Sequence, residues 1–101
     1  MQFDVHRNPG TSRRRAPFLV DLQSDRIQAL NLRVVAPLVR SEILGSTARL
    51  HPTMTVQDIV CTLSISELFA IEPRRLGEVV ANIEDVRHRI IAALDLLFTG
   101  I

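Results

Sequence analysis

The sequence predicts a mainly β domain of α+β class, or a small mainly antiparallel barrel with one packed C-terminal helix. Two observations predict it. Through residue 71 apolar residues recur in short runs, several with the period of two of half-buried strands. From residue 86 the period lengthens to that of a helix. Strands followed by a helix, with no repeat, low-complexity stretch or composition break, read as one domain over residues 1–101.

Met1, Phe3 and Val5 alternate with Gln2, Asp4 and His6, which predicts a first strand over residues 1–6. The polar stretch Arg7–Arg15, punctuated by Pro9 and Gly10, reads as a loop. Phe18–Leu22 predicts a second strand, with Phe18, Val20 and Leu22 on one face and Leu19 and Asp21 on the other. Gln23-Ser24-Asp25 closes it as a turn, since Ser and Asp side chains bond nearby backbone. Leu32–Ala36 predicts a third strand that ends at Pro37, which has no N–H for a ladder. Arg40–Leu44 has room for one helical turn before Gly45.

Leu50, Pro52, Met54 and Val56 alternate with His51, Thr53 and Thr55, and Pro52 points to an edge or a bulge. Only Gln57-Asp58 separates this run from Ile59–Leu63, so the two predict a hairpin. Leu68–Ile71 is a weaker strand ended by Glu72-Pro73. In the last segment Val86, Ile90, Leu94 and Leu97, with Ile91 and Phe98, predict one apolar side of a helix. Asn82-x-x-Asp85 resembles a capping box, Glu84 and Asp85 suit the positive end of the helix dipole, and Gly100 stops the helix. Leu96 falls about 80–100° outside the stripe, which makes it either a scattered exposed Leu or part of a second surface.

A chain of 101 residues has a thin core, and dimerisation is a natural way to bury more surface. A net charge of +1 removes any bulk electrostatic case for nucleic acid as main partner. All twelve basic residues are Arg, scattered rather than gathered at a site, which fits codon usage better than anion recognition. The Arg13-Arg14-Arg15 run reads as a solvated loop tip ahead of a binding patch. Cys61 is alone, so a reducing compartment fits. With neither a signal-peptide pattern nor a membrane-length apolar run, the expected location is cytoplasmic.

Catalytic chemistry is not proposed by the residues. His6, His51 and His88 sit in separate elements, and one Cys cannot build a thiolate cluster, so no metal or cofactor is expected. Cys61 lies in the apolar run Ile59-Val60-Cys61, where Cys serves as a small core residue. No phosphate-binding glycine loop or nucleophile elbow is present.

Several segments resemble the CcdB toxins of bacterial toxin–antitoxin modules. They are Met1-Gln2-Phe3, Phe18-Leu-Val-Asp-Leu-Gln-Ser-Asp25, Arg33-Val-Val-Ala-Pro-Leu38, Leu50-His-Pro52 and the closing Leu96-Leu-Phe-Thr-Gly-Ile101. Five weak motifs in order, with matching ends, are fairly specific. The resemblance implies a homodimer of SH3-like, partly open antiparallel barrels with a C-terminal helix. It implies a toxin that binds the DNA gyrase A subunit and traps the DNA-cleaved complex, meeting DNA only through that complex and catalysing nothing itself. It also implies a cognate antitoxin whose disordered segment wraps the toxin, at positions the sequence does not identify.

Gyrase-binding positions carried over by the resemblance are Phe3, Arg26, Ile27, Asp95, Leu97, Thr99, Gly100 and Ile101. Three depart from the family pattern. Thr99 stands where the best-known tail has a Trp that stacks on a gyrase Arg, Arg26 replaces one of two apolar residues, and Asp95 replaces an amide. Two other readings stand beside this one: an mRNA endonuclease on the same barrel, and a non-toxic relative that binds antitoxin as a decoy.

Overall fold

The computed structural model describes residues 1–27, 31–47 and 49–101. The order of elements is β1 (Asp4–Arg7), β2 (Phe18–Asp21), β3 (Arg33–Arg40), α1 (Ser41–Leu44), β4 (Thr53–Val56), β5 (Ile59–Leu63), β6 (Phe69–Ile71), β7 (Val79–Asn82) and α2 (Arg87–Thr99). All pairings are antiparallel, in the order β4-β5-β3-β2-β1-β7, with β6 also on β3. The sheet curls into a half-barrel around a core of Val5, Phe18, Val20, Leu38, Leu63 and Ile65, which α2 plugs with Ile90 and Ala93. This is the mainly β, partly open barrel with one C-terminal helix that the sequence predicts.

The first strand begins later than its alternation suggests. Phe3 has φ 68°, in the left-handed region, which breaks the extended run; its N–H donates to the Asp21 carbonyl at 2.6 Å. The third strand continues through Pro37 to Arg40, a correction to its expected end. Pro37 pairs with Leu19, but its carbonyl accepts the Ser64 N–H at 2.9 Å on the opposite side. Its nitrogen points that way too, at the break between β5 and β6, so no ladder bond is lost.

The β4–β5 hairpin forms as expected. Gln57 and Asp58 have φ 47° and 65°, and two central residues in the left-handed region make a type I′ turn, whose twist matches the strands. β4 is the edge of the sheet, as Pro52 implied. Sequence reading missed β7 altogether. It pairs with β1 across a register shift between Val5 and His6, and Gly77 leads into it with its N–H on the Arg7 carbonyl at 3.2 Å.

β2 is buried on both faces, so the alternation there describes two interiors. Asp21, 2% exposed, is compensated by Arg33 at 2.8 Å and by the Gln23 N–H at 3.1 Å. Burial works against the Arg33 charge, but hydrogen bonds and proximity to Asp21 and Asp25 outweigh it and raise its pKa.

Helix α2 follows a single 3-10 turn, Glu84–Val86. The capping box does not form. The Asn82 side chain accepts from the Glu84 N–H at 2.9 Å and donates to the Gln2 carbonyl and to Asp4, and α2 starts at Arg87, with Val86 before it giving no side-chain cap. Gly100, at φ 76°, ends the helix as expected and donates to the Leu96 carbonyl at 3.0 Å.

The buried face also differs from the expected stripe. Ile90 and Ala93 are fully buried, with Val86, Leu94 and Leu97 partly so, whereas Ile91 and Phe98 are 39% and 70% exposed. Taking Ile90 as zero at about 100° per residue, Ala93 and Leu97 lie at about −60° and −20°, Ile91 and Phe98 at about 100° and 80°. The exposed pair thus forms its own stripe. Leu96 lies on the other flank and is half-buried.

Candidate functional site

The sequence-selected residues hang from three places. Asp95, Leu97, Thr99, Gly100 and Ile101 occupy the last turns of α2 and the tail behind it. Leu97 packs partly against the core, while Asp95, Thr99 and Gly100 are exposed and Ile101 is 82% exposed. Local bonds hold this end. The Thr99 hydroxyl donates to the Asp95 carbonyl at 2.6 Å, and the Arg49 guanidinium donates to the Ile101 main-chain oxygen at 3.4 Å. The tail is therefore a defined projection whose terminal apolar side chain points away from the core.

Arg26 and Ile27 lie in the turn after β2, both exposed, with Ile27 at 50%. The Gln-Ser-Asp motif builds this turn. Ser24 Oγ accepts the Arg26 N–H at 3.2 Å and the Ser24 carbonyl accepts the Ile27 N–H at 3.1 Å. Gln23 Nε2 donates to the Ile27 carbonyl at 3.0 Å. Asp25 ties the turn to the N-terminal segment, accepting the Gln2 N–H at 3.0 and 3.1 Å, and Arg33 also donates to it at 3.2 Å. That backbone hydrogen bond, with Arg33 nearby, holds the Asp25 carboxyl below its ordinary pKa.

Phe3 belongs to neither surface. Its side chain is 2% exposed, with Arg87 of α2 lying 6.0 Å from the ring centroid. The structure thus gathers five of the eight positions at the helix end, two on the Asp25 turn, and places the eighth inside.

Other features resolve in chemical terms. Arg15 of the triple-Arg run is paired with Glu67 through two 3.1 Å contacts, which leaves Arg13 and Arg14 exposed. Cys61 is fully buried, and burial pushes its thiol pKa up, so it is a poor nucleophile. Among the described residues no three His, Cys, Asp or Glu side chains converge as a metal site, and no helix is long and apolar enough to cross a membrane. Sequence reading missed the exposed Ile91–Phe98 stripe, because spacing alone folded both residues into the core face.

The family model described as CcdB protein matches residues 2–100, so it spans the Asp25 turn, all of α2 and the whole sheet. The chain belongs to the CcdB family. As a CcdB protein it is a toxin of a toxin–antitoxin module, a class that acts by binding, with an antitoxin as partner and gyrase as its general target. Binding activity suits a molecule that exposes Arg26, Ile27, Asp95, Thr99, Gly100 and Ile101 at a turn and a helix end.

Proposed function

We propose that the protein poisons DNA gyrase by binding its A subunit through the α2 tail, stabilising the DNA-cleaved complex. The observation that carries this reading is the tail's geometry. Gly100 turns the chain out of the helix, and Ile101 projects almost wholly into solvent from an element anchored in the core. A poison needs only to bind one state of its target better than another. Thr99, Gly100 and Ile101 form the tip, Asp95 and Leu97 its base, and Arg26 and Ile27 a second contact. Phe3 acts from beneath, by fixing the N-terminal segment to which the Asp25 turn is tied.

The protein works as a homodimer in the cytoplasm, with Ile91 and Phe98 offering apolar area to a second copy. DNA is met only through the gyrase complex, and neither cofactor nor metal takes part. Deleting Thr99–Ile101 tests the assignment. The variant should stay folded and dimeric yet lose the cleaved complex in a gyrase–plasmid assay. A tail-deleted protein that still traps cleaved DNA would overturn the assignment. The Thr99 hydroxyl is spent on the Asp95 carbonyl and offers no aromatic face. Thr99→Trp should therefore tighten gyrase binding, by a cation–π contact of about 0.5–2 kcal/mol.

A further inference from the structure

Arg49 and Arg89 line one cleft of about 210 Å³ beside the tail, with Pro52 and Ala92 as its apolar lining. Both arginines are exposed, and each donates to a main-chain oxygen: Arg89 to Thr53 at 3.0 Å, Arg49 to Ile101 at 3.4 Å. Neither has an Asp or Glu carboxylate within 4.0 Å among the described residues. Arg7, Arg15, Arg33 and Arg74 each have an acidic partner; other arginines share the lack of one, and Arg49 and Arg89 are set apart by lining one cleft together. Two arginines thus border one small opening with no side-chain carboxylate beside either, and the planar fork of a guanidinium suits a carboxylate.

We propose that this cleft receives an acidic side chain of the antitoxin's wrapping segment. The inference rests on the antitoxin partner that the family implies, and adds the place and chemistry of one contact. Charge complementarity selects the occupant. Two cations over a proline and an alanine fit a carboxylate whose methylenes lie on the apolar lining. Arg49 already holds the tail, so an incoming carboxylate competes with the Ile101 oxygen for the same guanidinium.

The test titrates the toxin with the polypeptide encoded by the reading frame adjoining its own. Arg49→Gln and Arg89→Gln are compared singly and together, with the double Lys variant as the charge-preserving control. Unchanged circular dichroism and Tm establish that the variants fold. The double Gln variant should bind about 10- to 100-fold more weakly at low salt and with a shallower salt dependence, while the Lys pair retains most of the affinity. Equal affinity of the double Gln variant and the wild type overturns the cleft alone. A wild type that binds no adjoining polypeptide overturns the partner assignment and the cleft with it. If the double Gln variant keeps the polypeptide but loses retention on DNA-loaded gyrase, the cleft serves gyrase binding, directly or through the tail that Arg49 holds, and the proposal falls.

Discussion

At Gly77 a single missing side chain permits a strand pairing. A Cβ there would press into the Arg7 main-chain carbonyl, at the point where β7 meets β1. Gly77→Ala must push β7 outward and weaken the Arg7 N–H bond to the Glu78 carbonyl, now 2.9 Å. The expected loss is about 1–3 kcal/mol, read as a fall in Tm. Cys61→Ala should cost about 1 kcal/mol through a small cavity and leave partner binding intact; a folded variant without activity would give the thiol a role. For Asp25 the sign follows from its lowered pKa. The folded carboxyl holds its proton less tightly than the unfolded one, so the tie to Gln2 is intact above the usual carboxylate range. It is lost only as pH falls through that lowered pKa, below the usual carboxylate range. The Gln2 amide resonance should therefore move only in acid, and Asp25→Asn should remove that titration.

Elements differed in how legible they were. The β4–β5 hairpin could be read because all its determinants are local: alternation on both sides of a two-residue gap. Its turn still places two non-glycine residues at positive φ. Asp58→Gly should relieve that cost and raise stability by about 0.5–1 kcal/mol, while Gln57 keeps its 3.2 Å contact with Arg7. A chemical-denaturation midpoint at or below that of the wild type would refute this. Strand β7 was not legible, since its short Val79-Val80-Ala81 run becomes a strand only against β1, more than 70 residues earlier. Pro37 misled for the same reason: whether a missing N–H matters depends on what lies across the gap. In α2 the spacing identified the helix, but choosing between two adjacent apolar stripes needed the sheet beneath.

For the whole molecule, the exposed Ile91 and Phe98 predict self-association. Sedimentation at micromolar concentration should give about twice the 11.3 kDa chain mass. Phe98→Glu should shift the protein to monomer with little loss of protomer stability, because that ring is 70% exposed. A persistent dimer would move the interface elsewhere. The candidate site was legible at the level of motifs, which named the tail and the turn. Its supports were not, since Arg49 reaches Ile101 from 52 residues away.

The pairing of β1 with β7 also sets the order of assembly. The first strand has one neighbour early, β2, and waits for the other until residues 79–82 exist; Ile90 and Ala93 arrive later still to close the core. Contacts so distant in sequence fold slowly, because the intervening loop must close before they reward it. A ribosome making this chain therefore carries an unfinished sheet until the final segment emerges. Chains released short of α2 should be unfolded and quickly degraded. Pulse-labelled chains truncated at residue 86 should be protease-sensitive where the full chain resists.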